Sequence, residues 1–184
     1  KAIAELFAPA GKTLVTNDLW GQRWSKMVTN CMVNATAGMT GFMSHEVRAN
    51  KETRNQILNL AIETIKVGRA LGYNVRPPMG EFSLEDLKRG ATLEGNEELD
   101  KVLQGTPPDI PGRPSLAQDV IKGRKTEIEY LNGMVSEKGK EIGVDTPYSD
   151  AVTQVLKAVE SGEFGVGIDN IQKVSNIVSS YHGR

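Results

Sequence analysis

A single cysteine, Cys31, is all this chain carries, so an internal disulfide and a four-cysteine zinc site are both excluded, which fits a reducing compartment. Charge of one sign is not in excess either. Lys and Arg number 22 against 23 Asp and Glu, scattered rather than gathered into the basic stripe that a phosphate backbone needs, and this argues against nucleic acid as a partner. No apolar run approaches the roughly 20 residues that cross a bilayer, so no membrane association is expected. The opening, Lys1-Ala2-Ile3-Ala4-Glu5, has neither the apolar core of a secretory signal nor an initiator methionine. A cytoplasmic chain that begins in the middle of something larger is the expectation. Repeats and low-complexity tracts are absent. A Gly-x-Gly-x-x-Gly turn after a strand is also missing: Gly162-Glu-Phe-Gly165-Val-Gly167 has the wrong spacing, so the chain alone is not expected to hold a dinucleotide fully. The two histidines, His45 and His182, are far apart and lack clustered carboxylates, and no metal site is expected.

What is present reads as helix. A length of 184 residues supports one main domain with its own core. Ala2 to Phe7 is helix-like, and Thr13-Leu14-Val15-Thr16 reads as a brief strand from its β-branched content. Asn17 or Asp18 can cap a long helix on which Trp20, Trp24, Met27, Val28 and Cys31 recur along one face, predicted to be buried. Gly38, Gly41 and Ser44-His45 break that pattern. A second long helix spans about Lys51 to Leu71, with Ile57, Ala61, Ile65 and Leu71 inward and Gly72 ending it. Prolines make loops of Val75 to Gly80 and Thr106 to Pro114, and Ser83 and Asn96 cap two short helices between them, the second ending at Gly105. Thr126 and Glu129 have capping-box spacing for a helix carrying Ile128, Leu131 and Val135 and closed by Gly143. Thr146-Pro147 opens another helix, with Val152, Leu156 and Val159 inward and Gly162 at its end. An amphipathic tail runs from Asp169 through Ile171, Val174 and Val178.

Lys26, Asn30 and Asn34 lie at four-residue steps on the first long helix, and such steps drift only about 40° each. Their heads therefore form one stripe, on a different side from Trp24, Met27, Val28 and Cys31. An ammonium followed by two carboxamides suits an oxygen-rich anion, because the ammonium donates while each carboxamide both donates and accepts. Taken alone, the spacing is also the ordinary signature of a solvated helix face. The segment from Ser115 to Gly133 can likewise be read as helix punctuation, with Glu127 placed to meet a helix dipole.

Together, Trp24-x-Lys26-x-x-x-Asn30-x-x-x-Asn34, then Ser115-Leu-x-Gln118-Asp119, then Gly123-Arg-x-Thr126-Glu127-Ile-x-x-Leu131-Asn132-Gly133, in that order, resemble the C-terminal domain of the ketopantoate reductase family. The resemblance runs from about Trp24 through Pro147. It implies an all-α, multi-helical domain of the 6-phosphogluconate-dehydrogenase-like type over residues 17–184. Residues 1–16 would be the remnant of a Rossmann-type nucleotide-binding domain. It also implies an NADPH-dependent reductase of 2-dehydropantoate or a related 2-oxo acid, serving pantothenate biosynthesis, with NADP(H) bound mainly by the other domain and this chain inactive alone. Lys26 then corresponds to the catalytic proton donor and Asn30 and Asn34 to substrate-binding asparagines. Ser44 stands where the family has a further asparagine, Ser115 matches the serine that holds the substrate acid, and Glu127 matches a glutamate that contacts the cofactor. A homodimer is compatible with this picture. Two other readings remain: a 3-hydroxy-acid or opine-type dehydrogenase, which also places a lysine and an asparagine on such a helix, and a non-catalytic helical dimerisation module, whose stripe another chain would cap.

Overall fold

In the computed structural model, residues 2–11, 13, 15–77, 82–92, 95–105 and 112–181 are described. The parts of the two proline loops at 78–80 and 106–111 lie outside these, as do Leu14 and His182. Among the described residues there are ten α-helices and no strand. They are α1 (Ala2–Phe7), α2 (Leu19–Thr40), α3 (Ser44–Ala49), α4 (Lys51–Ala70), α5 (Leu84–Gly90), α6 (Glu97–Gln104), α7 (Ser115–Ile121), α8 (Asn132–Ile142), α9 (Pro147–Glu160) and α10 (Asn170–Tyr181).

Most boundaries follow from side chains within one turn. Asp18 accepts the Gly21 amide at 2.9 Å to start α2, and Asn50 accepts the amides of Glu52 and Thr53 to start α4. Ser83 and Asn96 cap α5 and α6 as predicted, accepting from Asp86 and Leu99. Gly41 ends α2 at φ 79°, a left-handed conformation in which a Cβ would be strained. Pro147 opens α9 at its first position.

The core is built around α2 and α4, which make the most extensive helix–helix contact of the fold. Trp24, Val28 and Cys31 are buried on α2, and Ile57, Leu58, Leu60, Ala61 and Ile65 on α4. Burying each of the larger aliphatic side chains contributes on the order of 2 kcal/mol before chain entropy is counted. Val152, Leu156 and Val159 of α9 and Val174 and Val178 of α10 close the core as their spacing predicts. Buried polar side chains join this pair and tie outer helices to it. Gln56 of α4 donates to the Thr36 hydroxyl of α2 at 2.8 Å, while Asn132 of α8 donates to the Cys31 carbonyl at 3.2 Å and Asn170 of α10 to the Met39 carbonyl at 3.0 Å.

Four expectations are corrected. The described residues Thr13, Val15 and Thr16 form no strand, since a strand needs a neighbour to take its ladder bonds and none is present among the described residues. Trp20 is 55% exposed rather than buried, because it sits in the first turn of α2, at the rim of the packed face, and stacks on Tyr73 instead. Gly38 does not interrupt α2: a Cβ there would stand 2.6 Å from Leu116 and 3.1 Å from Leu156, so the glycine allows α7 and α9 to approach closely. The Thr126–Glu129 capping box does not form. Thr126 accepts only from Ile128 two residues on, Glu129 pairs with Lys157 at 2.7 Å and Lys125 at 3.2 Å, and a 3-10 turn over Ile128–Tyr130 precedes α8.

Candidate functional site

The N-terminal half of α2 is held by its apolar side. Trp24, 7% exposed, stacks on Tyr73 with ring centroids 5.7 Å apart, and the Ser25 hydroxyl accepts the Arg76 amide at 2.9 Å. That leaves the stripe outward. Lys26 is exposed while Asn30 and Asn34 are half-buried, and from Lys26 to Asn34 the helix axis advances about 12 Å.

Two adjoining clefts follow this stripe. The first, about 350 Å³, is lined by Lys26 and Asn30 with Arg23, Trp20, Trp24 and Tyr130 among its walls. The second, about 210 Å³, is lined by Asn30, Asn34, Ser44, Arg48 and Arg113, among others. Asn30 belongs to both, so four of the six expected site residues line two clefts that meet at one side chain. Ser44 reaches the second because α3 folds back beside α2, where the Ser44 amide donates to the Gly112 carbonyl at 3.0 Å. The other two residues lie outside both clefts. Ser115, the first residue of α7, is exposed and donates to Glu127 at 3.4 Å, next to Pro114, which lines the second cleft.

Among the described residues neither cleft has a carboxylate in its lining, although the chain as a whole has a net charge of −1. Lys26 and Arg23 face the first and Arg48 and Arg113 the second. Positive groups concentrated along a recess attract an anion more strongly than the same charges spread over a surface. Arg48 and Arg113 were not anticipated from sequence. The signal for Arg48 was present, since it follows Ser44 by four residues on α3 and so shares its face; Arg113 could be placed only by folding. Among the described residues no group of three or more His, Cys, Asp or Glu could hold a metal ion. Among them too, no helix is long and apolar enough to cross a membrane.

The model for the family described as ketopantoate reductase PanE/ApbA C terminal matches residues 18–160. The 2-dehydropantoate 2-reductase of Archaeoglobus fulgidus is 27% identical over 161 residues, covering 87% of this chain and 48% of that protein. The enzyme of the same name from Pyrobaculum aerophilum is 29% identical over 161 residues, covering 86% and 50%. The chain therefore spans about half the length of the curated relatives it matches. Among solved structures, a D-mandelate dehydrogenase with NADH and anilino(oxo)acetate aligns with a TM-score of 0.69 at 22% identity, over 88% of this chain and 61% of that one. A ketopantoate reductase from Ralstonia eutropha JMP134 aligns at 0.66 with 21% identity, over 88% and 48%. At such identities the shared feature is the fold. The family model covers most of the chain, and its helical, strand-free architecture agrees: this chain belongs to the ketopantoate reductase family, as its helical C-terminal domain.

Proposed function

We propose that this chain is the substrate-binding and catalytic half of an NADPH-dependent reductase that converts 2-dehydropantoate or a related 2-oxo acid to the 2-hydroxy acid. The observation that carries this reading is the path from Lys26 through Asn30 to Asn34 and Ser44, lined among the described residues by cations and amides and by no carboxylate. In this reading residues 1–16 belong to the end of a nucleotide-binding domain that closes over the first cleft. The names of the matched relatives support it.

A nicotinamide held by that domain would supply a hydride to the C2 carbonyl carbon of the oxo acid. The role of Lys26 is to give its ammonium proton to the oxygen, which takes up the carbonyl π pair as the carbon is reduced. Asn30 and Asn34 orient the substrate by donating to its oxygens, and Ser44 adds a shorter hydroxyl contact. Glu127 fits a contact to the cofactor from this side, because its carboxylate is exposed and Ser115 occupies only Oε1. Its second oxygen is able to accept from a nucleotide hydroxyl.

The test is NADPH oxidation by the complete reductase with ketopantoate and a panel of 2-oxo acids, run beside Lys26→Ala. Removing the acid is expected to lower turnover by about a hundred-fold or more. Turnover within a few-fold of the parent would remove Lys26 from the role, and no turnover of any oxo acid by the parent would overturn the reading itself.

A further inference from the structure

We propose that Arg48 and Arg113 form an anion subsite for a second, distal acid group of the substrate, so that the preferred 2-oxo acid is a dicarboxylate. The inference rests on the 2-oxo-acid reading above. Both arginines line the second cleft beside Asn34 and Ser44, and among the described residues no acidic side chain lines it with them. Among the described residues neither arginine forms an ion pair.

Arg113 is held in place by its loop rather than left to drift. Arg113 donates through Nη1 to the Gly41 carbonyl at 2.8 Å, its own carbonyl accepts from Gln118 at 3.0 Å, and Gly112 is bonded to Ser44. The remaining N–H groups of its guanidinium stay available. Arg48 comes from α3, one turn beyond Ser44. Two guanidiniums lining one recess repel until an anion joins them, and a carboxylate matches their planar donor fork. A hydroxyl-ended substrate would leave that charge unanswered.

The position of the pair makes the acid a distal one. The first carboxylate of a 2-oxo acid is one bond from its keto carbon, so it must stay close to the group that protonates the keto oxygen. Lys26 lines only the first cleft, and helical side chains lean toward the N-terminus, away from the second. Asn34 lies about 12 Å further along the axis. Asn30, which lines both clefts, stands where the carbon chain between the two acid groups would pass.

The experiment compares kcat/KM of the complete reductase for 2-oxoglutarate and 2-oxovalerate, which share a five-carbon backbone and differ at the distal carboxylate. The parent enzyme is expected to favour 2-oxoglutarate by about ten-fold or more, and R48Q/R113Q to bring the ratio close to one, with R48Q alone in between. Both substrates are measured on one preparation, so any loss of folded protein cancels from the ratio. A parent ratio at or below one overturns the subsite while turnover of 2-oxovalerate keeps the reductase reading. A ratio unchanged by the substitutions, with a raised KM for NADPH, assigns the arginines to a cofactor phosphate and also overturns it. No turnover of these acids or of ketopantoate removes both readings together.

Discussion

Replacing Glu63 by glutamine is expected to remove a pH dependence from the stability of this domain. Glu63 lies in the middle of α4 and is 5% exposed. Its Oε1 accepts the Tyr148 amide at 2.8 Å, while Oε2 accepts the Ser149 amide at 2.8 Å and the Ser149 hydroxyl at 2.7 Å, so one carboxyl group satisfies the start of α9. Burial pushes this carboxyl up from 4.5 to about 7, against the opposing pull of those three donors. The folded value lies above the unfolded one, so between them the folded state binds the extra proton. The associated stability is fully present below about pH 4.5 and is lost as pH rises through about 7. At about 1.4 kcal/mol per pH unit, that interval is worth roughly 3 kcal/mol. Glutamine does not titrate, but its amide nitrogen cannot accept, which leaves a buried amide without its partner at a cost of about 1–3 kcal/mol. Glu63→Gln should therefore be clearly weaker than the parent at pH 5 and close to it at pH 8. Asp150 does not confuse the window. Burial alone would raise its carboxyl, yet hydrogen bonds from Ser136, Tyr181 and Lys140 hold it below its ordinary 3.8, so its contribution is lost only in more acidic solution. Urea unfolding followed by circular dichroism at each pH unit from 5 to 8 measures the effect. A parent stability that stays level or rises over that range, or a variant that declines as steeply as the parent, would refute the reasoning.

Three further outcomes are expected. Asn30→Ala and Asn34→Ala should raise KM for the oxo acid, by about ten-fold for a lost hydrogen bond to a charged group, and unchanged Michaelis constants for both would show that the carboxamides do not bind substrate. Gly139→Ala places a Cβ 2.6 Å from the Val144 carbonyl oxygen and 2.8 Å from a Thr146 methyl, so about 1–3 kcal/mol of stability should be lost in denaturant titration; a neutral result would mean that the turn after α8 yields freely. Cys31 is buried and burial pushes its thiol up to about 12, so maleimide should leave it unmodified in the folded protein and react once urea unfolds the chain; rapid native labelling would contradict that packing.

The fold class and most of the helix boundaries are legible in the sequence, because the signals act within about one turn. The oxygens of Asp18, Ser83 and Asn96 sit next to the amides they accept, and Gly41 and Gly143 supply left-handed ends that other residues strain to adopt. The same periodicity that buries Val28 and Cys31 turns Lys26, Asn30 and Asn34 to another side, so the stripe could be read without coordinates. Partners distant along the chain could not. Thr126 and Glu129 have a cap's spacing, but Lys157, far along the chain, takes the carboxylate. The tie from Arg113 to Gly41 spans 72 positions and that from Tyr148 to Glu63 spans 85, and no local pattern encodes either. The sequence by itself determined a helical domain with an ammonium and two carboxamides in line. Only the tertiary structure decided that Arg113 joins Ser44 and Arg48 beside that line, because long-range hydrogen bonds seat the 112–114 loop against the junction of α2 and α3.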